Sequence, residues 1–160
     1  MAQNRGKDFE NVIKKDFLKI PDVSIDRLHD QTSGFKGSSN ICDFVVYRKP
    51  YEYYIECKSV HGGSLPFRNI TDRQWMGLKE KSIIYGVYAG IICWYIDHDI
   101  TVYYPIQYLY DVKRSGRKSC SVRHIDKDCG CVILEGRKKR VFFNYDLRSF
   151  LKEVSSGNYR

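Results

Sequence analysis

The feature that most constrains this chain is charge planted inside an apolar strand pattern, Tyr53-Tyr-Ile-Glu56-Cys-Lys58-Ser-Val60. Residues 53–60 and residues 41–47 are both rich in aromatic and β-branched types. Turn chemistry around Lys49-Pro50-Tyr51 joins them as an antiparallel hairpin. Side chains alternate across a strand, so Glu56 and Lys58 share one face while Ile55, Cys57 and Ser59 take the other. Cys42, Phe44 and Val46 form the core-facing set of the first strand, which puts Asp43 on the face of Glu56 and Lys58.

Two acids and an amine on a sheet face are ordinarily a solvated cross-strand ion pair. Here the neighbours are strongly apolar, and unpaired charge in such a setting is costly without a function. Paired carboxylates repel unless a cation lies between them, and Mg²⁺ takes carboxylates while keeping waters and substrate phosphates. Asp43 and Glu56 are therefore candidate metal ligands for Mg²⁺, with Mn²⁺ as a substitute. Lys58 is placed to orient a metal-activated water or to neutralise charge in a phosphoryl transition state.

The rest of the chain frames this hairpin. Phe9, Val12, Ile13, Phe17 and Ile20 recur at helical spacing, predicting an amphipathic helix over 7–20 that Pro21 stops. Residues 31–40 are glycine and serine turn chemistry, read as a loop or flap. Thr71-Asp-Arg-Gln74 fits a capping box opening a helix that runs through Trp75 and Leu78 to about residue 83. Buried strands are predicted over 86–96 and 101–106, around the turn Asp97-His98-Asp99, with a short helical turn over 107–112. Short strands over 119–125, 131–134 and 140–144 and a closing helix over 145–154 complete an α/β or α+β pattern.

Length fits one domain spanning residues 1–160. The excess of 27 Lys and Arg over 19 Asp and Glu, net +8, favours a polyanionic partner, nucleic acid before an anionic membrane. No apolar run approaches the roughly 20 residues of a spanning helix, and the polar start is unlike a signal peptide. A cytoplasmic protein with its six cysteines reduced is the expectation. Lys36, Arg68, Arg73, Arg117 and Lys118 are candidate DNA contacts along a phosphate track, and Phe35, Tyr51 and Trp75 are candidates to stack on unpaired bases. Cys120, His124, Cys129 and Cys131 are zinc-type ligands by residue, but their spacing matches no standard finger, and thiols on an apolar strand face explain them as well. His29 and His61 are further candidates near the site.

Asp43, a twelve-residue gap and Glu56-Cys-Lys58 resemble the PD-(D/E)xK nuclease pattern, with Cys42 where proline is usual. More narrowly the chain resembles the RecU-like Holliday junction resolvases. The resemblance is carried in order by Gly6-Lys-Asp-Phe-Glu10, Ile41-Cys-Asp-Phe44, Tyr54-Ile-Glu-Cys-Lys58, Leu65-Pro-Phe67, Asn69, Arg73-Gln74 and Gly116-Arg-Lys-Ser119. It implies a restriction-endonuclease-like mixed sheet flanked by helices, acting as a homodimer on branched four-way DNA in a bacterial or phage-infected cell. It also implies Asp43, Glu56, the Cys57 carbonyl and Glu10 as metal ligands, with Lys58 and Gln74 as catalytic partners. Glu10 also has an ordinary role, an i,i+4 pair with Lys14. Gln74 is claimed both by the site and by its capping box, two roles that one amide is not expected to meet fully. Bacterial members carry a long protruding segment before the catalytic Asp, where this chain has only a short loop around residues 33–40. A general or restriction-type nuclease and a non-catalytic nucleic-acid-binding module on the same fold are the alternatives.

Overall fold

The structure, a computed structural model, describes residues 4–28 and 40–157. The loop expected over 31–40, with the candidate contacts Lys36 and Phe35 and the nearby His29, lies outside them apart from Asn40.

Helix α1, Arg5–Leu18, forms because Phe9, Ile13 and Phe17 fall on one face, and Asn4 caps its start by accepting from the Lys7 amide. Strands β1, Ser24–Arg27, β2, Phe44–Arg48, and β3, Tyr51–Val60, follow as an antiparallel run. After the short β4, Ser64–Pro66, helix α2, Asp72–Ser82, crosses over and returns the chain to β5, Val87–Tyr95, which pairs parallel with β3. Strand β6, Ile100–Pro105, turns back antiparallel and leads into α3, Ile106–Arg114. Strand β7, Ser119–Ser121, pairs with β4, and β8, Val132–Ile133, extends the main sheet. The hairpin of β9, Gly136–Lys138, and β10, Phe143–Tyr145, precedes the closing helix α4, Leu147–Ser156.

The result is a mixed six-stranded sheet in the order β1-β2-β3-β5-β6-β8 with helices on both faces, the expected α+β architecture. Residues of α1 and α4 pack with Tyr53, Ile55, Cys57, Ile92 and Trp94 on one face. Those of α2 and α3 pack with Val60, Ala89, Ile91, Cys93 and Tyr95 on the other. Strand β5, buried along nearly its whole length, divides its side chains between these two cores, as a central strand must. No helix among the described residues is long and apolar enough to cross a membrane. All six cysteines are free thiols, as expected.

Several boundaries differ from the sequence expectation. The hairpin's first strand begins at Phe44 rather than residue 41, because the chain bends at Asp43. That bend sends Cys42 into the core beneath α2 while Phe44 and Val46 enter the opposite core, so the three do not share a face. Tyr145 ends β10 instead of opening the last helix, because the buried Asp16 carboxylate accepts its amide at 2.8 Å and Asp146 supplies the N-cap. The turn expected over 107–112 is a full helix, and β1, β4 and β9 are too short for alternation to announce them.

Candidate metal centre

The site stands where β2 stops short. Phe44 is the last β2 residue paired with β3, facing Ile55, so two residues further along β3 the Cys57 amide has no partner in β2. It donates instead to Asp43 Oδ2 at 2.8 Å. N–H and C=O of one strand residue face the same neighbour, so the Cys57 carbonyl points to the space that β2 vacates. Glu56 lies on the α2 side of the sheet, in register with Ile91, and is 4% exposed. Its Oε1 accepts from Lys58 Nζ at 2.8 Å and from Gln74 Nε2 at 2.8 Å. Gln74 therefore makes the contacts of both the capping box and the cleft, which one amide was not expected to do. Its oxygen accepts the Thr71 amide at 3.1 Å to close the capping box while its nitrogen holds Glu56.

Helix α2 can come this close because residue 77 is glycine. A Cβ there would lie 2.2 Å from Ile41 Cγ2, so a larger residue would push the helix off the segment that carries Asp43. Glu10 of α1 reaches the same cleft, but its partner is Arg27 of β1 rather than Lys14. Arg27 also donates to Asn11 Oδ1 at 3.2 Å, which ties α1 to the sheet edge. The cleft, about 430 Å³, is lined by Lys7, Glu10, Arg27, Asp43, Glu56 and Gln74 among others, with polar surface predominating.

Electrostatics mark Glu56 as the unusual group. Burial, and then the neighbouring Asp43 carboxyl, push it up to about 8, against the opposing pull of Lys58. Asp43 is raised as well, by burial, with the Cys57 amide and Lys58 pulling the other way. Glu10 is raised by burial and by Asp43. The Asp43 and Glu56 carboxyls line the same cleft, near enough for Asp43 to oppose the ionisation of Glu56, and a cation between two such carboxylates relieves that repulsion. A hard divalent cation fits this donor set, two carboxylates and a carbonyl, because such an ion keeps several waters and needs few protein ligands. Glu10 is held by Arg27, and among the described residues no three His, Cys, Asp or Glu side chains gather into a ready cluster, at this cleft or at Cys120, His124, Cys129 and Cys131.

A pH effect on stability follows from the raised carboxyl. The folded protein holds a proton on Glu56 that the unfolded chain, near its ordinary 4.5, has released, so the contribution is fully present below about pH 4.5 and is lost as pH rises through about 8. Thermal melts in chelator from pH 5 to 8 should show the parent losing stability relative to Glu56→Gln by on the order of 3 kcal/mol, and Mn²⁺ should restore it at the upper end. Parallel parent and variant curves would contradict a raised carboxyl.

No family model and no curated protein matches the chain. Among solved structures it is similar to Hjc, a Holliday junction resolvase from the archaeal hyperthermophile Archaeoglobus fulgidus. The likeness has a TM-score of 0.47 and 18% identity and covers 64% of this chain and 78% of that one. At that level it adds nothing to the chemistry argued from the site.

Of the residues singled out in the sequence, Asp43, Glu56, Lys58, Gln74 and Glu10 come together at the cleft, with the Cys57 backbone. Arg68, Arg117 and Lys118 line a separate groove across the first turn of α2, and Arg73 is exposed on that turn. Trp75 is buried between Phe67 and Tyr110, and Tyr51 packs against Tyr88, so neither is a stacking platform. His61 is exposed and pairs with Asp97. Sequence reading missed Arg27 and Lys7 as cleft residues. Arg27 closes a four-residue strand of alternating exposed and half-buried residues, too short for a sequence pattern to single it out.

Proposed function

We propose that the chain is a metal-dependent DNA endonuclease and that its substrate is a four-way DNA junction. The observation that supports the chemistry best is the pair of carboxyls, Asp43 and Glu56, on the wall of one cleft, with Lys58 and Gln74 both on the same Glu56 oxygen. Asp43, Glu56 and the Cys57 carbonyl would hold Mg²⁺ or Mn²⁺, with Glu10 next to them. Such an ion, when bound, lowers the pKa of a water and polarises a phosphodiester oxygen. The chain's own groups do the rest. Gln74 fixes the Glu56 carboxylate from a capped helix end, so its orientation does not have to be set at each turnover. The Cys57 amide does the same for Asp43. Lys58, one alternation further along the Glu56 face, presents an ammonium to the attacking water or to the charge that grows on the phosphoryl oxygens as the water oxygen bonds to phosphorus and the strand's P–O bond breaks. Glu10, its charge moderated by Arg27, is the remaining acid able to accept a hydrogen bond from that water. Lys7 and Arg27 supply positive charge to the approaching backbone.

The junction comes from the sequence resemblance, which also supplies the homodimer with one site for each of two opposed strands. A general or restriction-type nuclease is the second reading, favoured by the short segment between Arg27 and Asp43 where a protruding stalk is expected. Strand scission of a synthetic four-way junction and of a linear duplex with the same arms, each with Mg²⁺ and then Mn²⁺, separates them. Preferential cutting of the junction supports a resolvase, and equal cutting of both supports the general nuclease.

A further inference from the structure

On the far side of the first turn of α2 lies a second groove, of about 710 Å³, between that turn and the loop from α3 to β7. The pairing of β4 with β7 brings its two walls together, and Lys118 O accepts the Phe67 amide at 2.9 Å, fixing the loop to the segment ahead of α2. Arg68, Lys113, Arg117 and Lys118 line this groove, opposed by the carboxylate of Asp72. None of the four makes an ion pair among the described residues, whereas Arg27, Arg48, Arg114 and Arg148 each hold a carboxylate. Four cations against one carboxylate leave the groove with net positive charge, and a polyanion relieves the repulsion among them. The aromatic ring beneath them is already covered, since Lys113 Nζ lies 4.6 Å from the Trp75 ring. Recognition there is by charge along a backbone and not by stacking of bases.

The groove and the cleft are neighbours. Thr71 lines the groove and Gln74 lines the cleft, one helical turn apart, a separation of about 5 Å along the axis. We propose that this groove binds the phosphodiester backbone of the DNA strand that continues out of the Asp43 and Glu56 cleft, through Arg68, Arg117 and Lys118. The proposal rests on DNA being the ligand of that cleft but not on cleavage. It assigns Arg68, Arg117 and Lys118 to the flank of the strand, away from the scissile phosphate.

The test is binding of a labelled four-way DNA junction in chelator over a series of salt concentrations. The double variant Arg117→Gln with Lys118→Gln is compared with Arg137→Gln and Lys139→Gln, which remove the same charge from the exposed β9–β10 hairpin against the α1 face. The groove variant should weaken binding about tenfold or more and lower the slope of log affinity against log salt by about two, one per lost phosphate contact. The hairpin variant should stay near the parent. A short oligonucleotide that fills only the cleft should bind the parent and the groove variant equally. All four side chains are exposed, and matching melting curves will confirm folding, with Arg68→Gln as a second groove variant. Equal losses from the two double variants, or no loss from the groove variant, would overturn the proposal, as would failure of the parent to bind DNA. Groove-dependent binding without metal-dependent cleavage would leave the proposal standing and sink the nuclease reading.

Discussion

Replacing Lys58 with Met is expected to slow strand scission about 10²- to 10³-fold, the usual loss when one preorganised donor to a developing charge is removed. The methylene stem is retained, so the packing of the 19%-exposed side chain changes little. A secondary effect has to be separated from the chemical one. Lys58 pulls the Glu56 carboxyl down, so without it Glu56 holds its proton more tightly and competes better against a metal at neutral pH. Mn²⁺ affinity of the variant should therefore fall at pH 7 and recover by about pH 9, while single-turnover cleavage stays low at both. Cleavage recovering in parallel with metal affinity would reduce Lys58 to a charge that tunes Glu56. An unchanged rate at both pH values would remove it from the chemistry.

The largest stability effect is expected in β5, beside the strand that carries Glu56. A Cβ at Gly90 would lie 2.3 Å from Tyr104 O and 2.7 Å from the Tyr103 ring. The oxygen belongs to the β5–β6 ladder and the ring is buried on the α4 side, so neither has room to retreat. Gly90→Ala should cost more than about 3 kcal/mol, the upper range for overpacking, and lower the melting temperature by roughly 10 °C. Gly6→Ala is the control, because a Cβ there meets nothing closer than 3.6 Å and alanine favours the first turn of α1 in which it lies. Melting within about 2 °C of the parent for Gly90→Ala would mean that β5 and β6 are less tightly packed than described. Because Glu56 is in register with Ile91, a partly folded Gly90→Ala protein should also lose Mn²⁺ binding.

What the sequence revealed and what it hid have physical causes. Asp43, Glu56 and Lys58 were legible because β3 runs for ten residues, long enough for a period of two to assign every side chain to a face. Gln74 was legible twice over, through the capping box and the resemblance, and its dual role emerged only from the geometry, in which the two ends of one amide serve different partners. Cys42 was misplaced because alternation presumes a continuing strand, and the bend at Asp43 that opens the cleft also breaks that alternation. Arg27 was missed because its strand is too short to show a period. Gly77 stood inside a predicted helix with no visible reason, and its reason is the approach of Ile41, a contact between elements far apart in sequence. Trp75 seemed free to stack because periodicity places it on a helix without saying that Phe67, Tyr110 and Lys113 enclose it.

The most direct test of the central claim is single-turnover cleavage of a labelled four-way junction by the parent and by Asp43→Ala, with Mg²⁺ or Mn²⁺ and with chelator. The Ala variant removes one carboxylate of the pair and leaves the Cys57 amide without its acceptor, so its melting curve is recorded alongside. Metal-dependent scission by the parent, abolished by chelator and lowered at least about 10³-fold in a folded Asp43→Ala protein, is the expected result. Scission that persists in Asp43→Ala, or a parent that binds the junction and cuts it with neither metal, would contradict a nuclease centre built on Asp43, Glu56 and Lys58.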